Sequence, residues 1–441
     1  MFNCIIMGAA GRDFHDFKTF FRDHQDFVVR AFTATQIPFI EQRSFPAALA
    51  GNAYTQDIPI HDENELEQLI EQHQVEFVFF AYSDISHEAV MHLASRVQAA
   101  GASFILLGPG QTALPASKPV VAITATRTGA GKSPLTQWLA RQLVDSGIRV
   151  ATLRHPMPYG NLATQAVQRF ATSEDLDLHG CTIEEREEYE PYVRQGLVIY
   201  AGVDYRQILA AAESEADIIL WDGGNNDYSF IRPDLAITVC DALRAGHGLA
   251  YYPGETNFRS ADILVINKVA DAAAEDIKRI MALRQQFNPD APVVQADLEV
   301  TVDDPALLSG SRVLVVEDGP TVTHGGMPYG AGWVAAQRYG VKDIVDPRPA
   351  AVGSIGETLD RYPDLRRVLP AMGYSAAQRE ELKASIEASG AELVLNGSPS
   401  DIAQLLDLSL PVVPVRYQFA PRSGPDLVAA VASLLSGRGA E

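Results

Sequence analysis

The chain has 441 residues, 47% of them hydrophobic and 21% charged, enough to bury two or three separate cores. Its formal charge of -21 excludes a sequence-independent grip on nucleic acid, which needs clustered cations to displace counterions. Three cysteines without C-x-x-C spacing, Cys4, Cys181 and Cys240, exclude a disulfide framework and a cysteine-built zinc site. The apolar opening over 2–10 has no basic leader and is far shorter than a membrane span. A cytoplasmic protein is therefore expected.

In chain order, strands are expected over 4–7, 28–33, 75–81 and 104–107, with helices over 17–21, 65–73 and 87–100. Strands alternating with helices imply a parallel sheet with ligands at its carboxyl ends. The expectation is an α/β chain: a Rossmann-like parallel-sheet domain over 1–118, then a P-loop NTPase domain with a C-terminal α/β extension over 119–441. Between the first strand and helix lies Gly8-Ala9-Ala10-Gly11-Arg12, where Arg12 and His15 could face an anion. This turn lacks the G-x-G-x-x-G spacing of a dinucleotide site, so tight strand-to-helix packing accounts better for its glycines. The Gly, Pro, Ala and Ser-rich stretch over 108–119 reads as a linker.

From Val121 a β-branched run opens into Thr126-Arg127-Thr128-Gly129-Ala130-Gly131-Lys132-Ser133. Leu135, Trp138, Leu139 and Leu143 then continue at helical spacing. Strand, glycine-rich turn and helix N-terminus together form a phosphate cradle, because the turn's N–H groups and the helix dipole both favour anions. Thr128, Gly129, Ala130, Gly131, Lys132 and Ser133 are the candidate nucleotide contacts; Lys132 would reach the β/γ-phosphates and Ser133 would ligate Mg²⁺. The first glycine of the usual eight-residue pattern is Thr126 here.

The next strand ends in Arg154-His155, before a loop with two prolines and a glycine. Residues 165–170 and the acidic run over 184–190 look like a helical lid or a solvated face, and the run reads as a solvated helix surface. The apolar strand over 216–221 ends in Asp222-Gly223-Gly224, a Walker B-like acid that would hold Mg²⁺ beside the loop. Asn267-Lys268 sits where P-loop GTPases read guanine, yet Ala270 occupies the place of the base-reading carboxylate. ATP is therefore expected at least as readily as GTP. Arg127, Arg154, His155, His247, Arg259 and His324 fall in loops after strands; with Lys132 and Asp222, Arg127, Arg154, His155 and Arg259 are the candidate catalytic and acceptor-gripping residues.

The segments over 7–15, 127–133, 154–160, 221–227, 252–257 and 317–321 together resemble the cyclic 2,3-diphosphoglycerate synthetase family over nearly the whole chain. The segments at 131–134, 222–224, 232–235 and 254–259 also look like the lipid A 4′-kinase pattern. The first resemblance implies an ATP- and Mg²⁺-dependent synthetase or kinase that closes an intramolecular phosphoanhydride in a small phosphorylated metabolite. A small anionic metabolite is thus the expected partner, with a homodimer as the expected assembly. A switch GTPase of the metallochaperone type is the alternative that Asn267-Lys268 and Asp222-Gly223-Gly224 favour.

Overall fold

The fold is that of a computed structural model, which describes all residues except 10, 36–42, 156–161, 163–164, 225, 324–325, 374 and 438–441. Phe2–Met7 carries alternating side chains into two cores: Cys4 and Ile6 pack with Phe14, Phe17 and Phe32, while Ile5 and Met7 pack with Leu66, Val78 and Phe80. A strand buried on both faces belongs at the centre of a parallel sheet. It lies between Phe27–Ala34 and Phe77–Phe80, with Ile58–Asp62 and Ser103–Leu106 outside them, all parallel. Ser44–Phe45 closes one edge antiparallel. The Rossmann-like expectation therefore holds for the first sheet.

The turn after Phe2–Met7 is built for packing. Gly8 has φ +134°, and a Cβ there would meet Asp13 Oδ2 at 2.7 Å. Asp13 Oδ1 accepts from Gly11 N and Phe14 N. A Cβ on Gly11 would fall 2.0 Å from the His155 ring. Arg12 is buried beside Asp16 and Asp227 and near the rings of Tyr228 and Tyr252. His15 stacks on Phe230 at a centroid distance of 4.1 Å. Arg12 and His15 thus dock the first sheet onto the second instead of facing an anion.

The second sheet has 13 strands. Val120–Ala125 lies between Ile218–Asp222 and Leu235–Asp241, followed outward on one side by Val150–Arg154 and Val198–Ala201, and on the other by Ile263–Asn267 and Val293–Val302. Val293–Val302 then pairs antiparallel with Val412–Ser423, which leads into the parallel strands Leu393–Asn396, Arg312–Glu317 and Asp343–Ile344. The C-terminal α/β extension is fused to the P-loop unit through this antiparallel seam. Each unit keeps its own core, one around Leu135, Leu139 and Val265, the other around Leu314, Ile355 and Leu382.

Two expectations are corrected. Residues 168–170 form an antiparallel edge strand, not a helical lid, because Gln168 and Phe170 turn inward while Arg169 pairs outward with Glu215. The acidic run over 184–190 is not a solvated face. Ile183–Arg194 begins with a capping box of Thr182 and Glu185, and Glu184, Glu185, Glu187 and Glu190 are all buried. Tyr189 and Tyr192 of this helix join the P-loop core, while Ile183 joins the C-terminal core. Gly373 N, from a distant part of the chain, donates to Glu184 at 2.6 Å, and Arg194 on the same helix pairs with Glu190; such partners make that burial tolerable. Among the described residues no helix is long and apolar enough to cross a membrane.

Candidate functional site

After the fully buried strand Val120–Ala125 the chain turns through Gly129 at φ +77° and Gly131 at φ +102°, then starts the helix Lys132–Asp145. The carbonyls of this turn are tied back from behind. Arg244 Nη2 donates to Thr128 O at 2.6 Å, Lys268 Nζ to Gly129 O at 2.7 Å, and Asn267 Nδ2 to Ala130 O at 2.8 Å. With carbonyls held on one side, the loop presents its N–H groups as an anion cradle. Lys268 Nζ also reaches Asp241 Oδ2 at 2.9 Å. Asn267 and Lys268 therefore brace the loop.

Asp222 is fully buried at the end of its strand and gathers the chemistry. Its Oδ1 accepts from Lys132 Nζ at 2.8 Å and Ser133 Oγ at 3.3 Å. Its Oδ2 accepts from Arg154 Nη1 at 2.7 Å and Tyr192 Oη at 2.6 Å. Burial alone would raise this carboxyl, but Arg154 and Lys132 outweigh it and hold Asp222 down at about 2. Burial lowers Lys132, with Asp222 opposing. Arg154 Nη1 also donates to Ser133 Oγ at 2.8 Å, and its Nη2 pairs with Glu188. Lys132, Ser133, Asp222 and Arg154 thus form one connected constellation at the loop.

The other expected residues divide. Arg127 lines the cleft, its Nε donating to Asp84 Oδ1 at 2.8 Å and its guanidinium 3.6 Å from the Tyr251 ring centroid. Since Asp84 follows the strand Phe77–Phe80, the first sheet reaches the phosphate loop through this pair. His155 is not brought to the cleft: its Nε2 lies 2.9 Å from Asp227 Oδ2, and its ring is wedged between Gly11 and Gly224. Arg259 pairs with Glu255 and covers the Phe287 ring at 4.4 Å, on a different face. His324 and the 156–160 loop lie outside the described residues.

A cleft of about 950 Å³ opens between the loop and the carboxyl ends of the C-terminal strands. Its lining includes Glu317 and Asp318, from the segment 317–321 that carries the family resemblance, and residues that sequence reasoning missed: Glu187 and Glu188, read as a solvated face, with Ser398 and Tyr417. Glu317 is fully buried and accepts from Gly330 N, Gly332 N and Trp333 N. Burial still wins over those amides and pushes it up to about 7. One signal was available in the sequence: the apolar strand Arg312–Glu317 ends in acids as Ile218–Asp222 does.

No family model matches the chain. The arginine synthetase ArcE of Thermococcus kodakarensis is 56% identical over 423 residues, covering 96% of this chain and 94% of that protein. The tetraacyldisaccharide 4'-kinase of Janthinobacterium sp. is 31% identical over 147 residues, 33% of this chain and 41% of the kinase. Among solved structures, LpxK of Aquifex aeolicus in complex with ATP has a TM-score of 0.45 at 13% identity, covering 75% of this chain and 91% of its own. Identity to ArcE over nearly the full length of both proteins places the chain in that synthetase family, the cyclic 2,3-diphosphoglycerate synthetase type to which its motifs point.

Proposed function

We propose that this protein is an ATP- and Mg²⁺-dependent synthetase that activates an oxygen of a small acceptor by phosphorylation, so that a second nucleophile can displace phosphate. The observation that carries this reading is the Lys132, Ser133, Asp222 and Arg154 constellation at the mouth of a braced glycine loop. Glycines at positive φ and carbonyls tied away from the cleft suit a polyphosphate. Among the described residues no group of three His, Cys, Asp or Glu could hold a metal. Ser133 and Asp222 would therefore hold Mg²⁺ together with phosphate oxygens. Nucleotide and metal supply a transferable phosphoryl group with its charge neutralised. Lys132 and the loop amides orient that group, and Arg154 places a guanidinium beside it.

The acceptor is chosen by charge. The cations at the loop already face carboxylates: Arg127 has Asp84, Arg154 has Asp222 and Glu188, and Lys268 has Asp241. The rest of the cleft adds the carboxyl groups of Glu187, Glu317 and Asp318, while its Arg194 and Arg416 are paired with Glu190 and Asp303. That polarity favours formation of a cationic product over capture of a polyanion, in keeping with the product in the name of the 56% identical relative. For arginine the balance is simple. The ureido oxygen of citrulline takes the phosphoryl group, ammonia adds to the carbon, and phosphate leaves with that oxygen, giving arginine, ADP and phosphate. Closure of a phosphoanhydride in 2,3-diphosphoglycerate would use the same activation and remains the second reading, carried by the motif resemblance. The brace formed by Asn267 and Lys268, with Ala270 beyond, supports ATP over a guanine-reading switch.

The test is ADP release by the full chain with ATP and Mg²⁺, in the presence of citrulline plus ammonium or of 2,3-diphosphoglycerate, with products read by mass spectrometry and phosphorus NMR. Acceptor-dependent ADP release with arginine formed supports the first reading. An anhydride phosphorus signal instead would install the second. Hydrolysis indifferent to both acceptors would sink the synthetase.

A further inference from the structure

The carboxylates of the cleft differ in how well they are matched. Glu188 has Arg154, and Glu317 has three backbone amides. Glu187 is only 4% exposed, yet its Oε1 accepts from Ser398 Oγ at 2.5 Å while its Oε2, among the described residues, has no hydrogen-bond donor. Asp318 is the charge beside it, and burial with this like neighbour holds Glu187 well above the ordinary range of a glutamate. Two neighbouring carboxyl groups of this kind need either a shared proton or an outside cation.

The surroundings of this pair are built. Ser398 N donates to Asn396 Oδ1 at 3.0 Å, Asn396 Nδ2 donates to Ser400 O at 2.8 Å, and Ser398 Oγ lies 2.9 Å from Ser400 Oγ. Asp318 is fixed at the start of Gly319–Val322, its Oδ2 accepting from Thr321 N and Thr321 Oγ1. Both carboxylates line the cleft: Asp318 follows the carboxyl end of Arg312–Glu317, where α/β sheets hold ligands, and Glu187 comes from the helix Ile183–Arg194, against Ser398 beyond the end of Leu393–Asn396.

We propose that Glu187 and Asp318, supported by Ser398, form a subsite for the planar N–H-donating end of the acceptor, a ureido or guanidino group. The proposal rests on the synthetase reading above and assigns the acceptor to the place where the helix Ile183–Arg194 meets the C-terminal strands. A guanidino group donates along two edges, which matches two carboxylates better than a single ammonium does. A phosphomonoester, largely a dianion at neutral pH, brings negative charge and almost no donors to this pair, so an anionic head would bind elsewhere in the cleft.

Propylguanidinium is the probe, titrated by calorimetry into the full chain with Mg-ADP present. Saturable binding to the wild type is expected, weakened about tenfold or more in both Glu187→Gln and Asp318→Asn, since each loses a charge-assisted hydrogen bond. The Kd for ADP should stay within about twofold, which shows that the variants keep their fold and phosphate loop. Equal propylguanidinium binding in wild type and both variants, or none in the wild type, overturns the subsite. Arginine formation is measured in parallel. Loss of probe binding in the variants, with no arginine formed even by the wild type, supports the subsite and removes the citrulline reading; arginine formed by the wild type and by both variants with an unchanged citrulline KM does the reverse.

Discussion

Asp222 sits where four donors meet, and this explains why Lys132 matters more to turnover than to folding. With Lys132 removed, Asp222 still has Arg154, Tyr192 and Ser133. Lys132→Ala should lower acceptor-dependent ATP turnover by about 10²-fold or more, because one preorganised donor to a transferring group is worth that much. Its thermal unfolding should remain a single transition near the wild-type temperature; a mutant with wild-type turnover would remove the phosphate-loop reading. Glu317 gives a second residue-scale outcome. Its carboxyl is raised from 4.5 to about 7, so the folded chain keeps a proton that the unfolded chain has already released. The stability it contributes is complete below the unfolded value and is lost as pH rises through about 7, with a slope of up to about 1.4 kcal/mol per pH unit. Urea midpoints measured from about pH 5 to 8 should fall, and Glu317→Gln should flatten that fall.

At the scale of elements, the phosphate loop is a turn clamped by its neighbours. Gly131 has φ +102°, and a Cβ there would sit 2.1 Å from Asn267 Nδ2, the group that holds Ala130 O. Gly131→Ala is therefore strained in its backbone and collides with its own brace. The expected result is a rise of about tenfold or more in the Kd for ATP, the loss of one to two good hydrogen bonds to a charged ligand. Unchanged affinity would show that the brace does not shape the cradle. The helix Ile183–Arg194 teaches a complementary lesson. Its capping box, Thr182 with Glu185, is a local pattern that the structure reveals. The burial of Glu184 and Glu187 is not local, because the donors they meet, Gly373 N and Ser398 Oγ, lie far away in the chain.

At the scale of the whole molecule, the first sheet is joined to the catalytic unit by buried charge. Arg12 lies within 3.7 Å of Asp227, which also faces His155. Arg12→Ala leaves that carboxylate buried with one cation fewer, a change that costs about 3–5 kcal/mol. Hydrogen exchange should show the loss concentrated in Phe2–Met7 and at the junction; uniform protection across both sheets would contradict a docking role. Asp84 extends the same junction to Arg127 and so to the nucleotide side of the cleft.

The sequence by itself determined what depends on neighbours along the chain. Strand and helix periods, glycine turns, the Lys132-Ser133 loop and the acid-ended strand at Asp222 are local patterns, and they also carried the family resemblance. Only the tertiary structure decided what depends on partners distant in sequence. It turned Asn267 and Lys268 into braces, drew His155 into the junction, left Arg259 outside, and gathered Glu187, Asp318 and Ser398 across the cleft from Lys132. The physical reason is that a charged side chain's role follows from its desolvation and its counter-ion. Both are set by elements distant in sequence, brought together where Val293–Val302 pairs with Val412–Ser423 in one continuous sheet and where Arg12 meets Asp227.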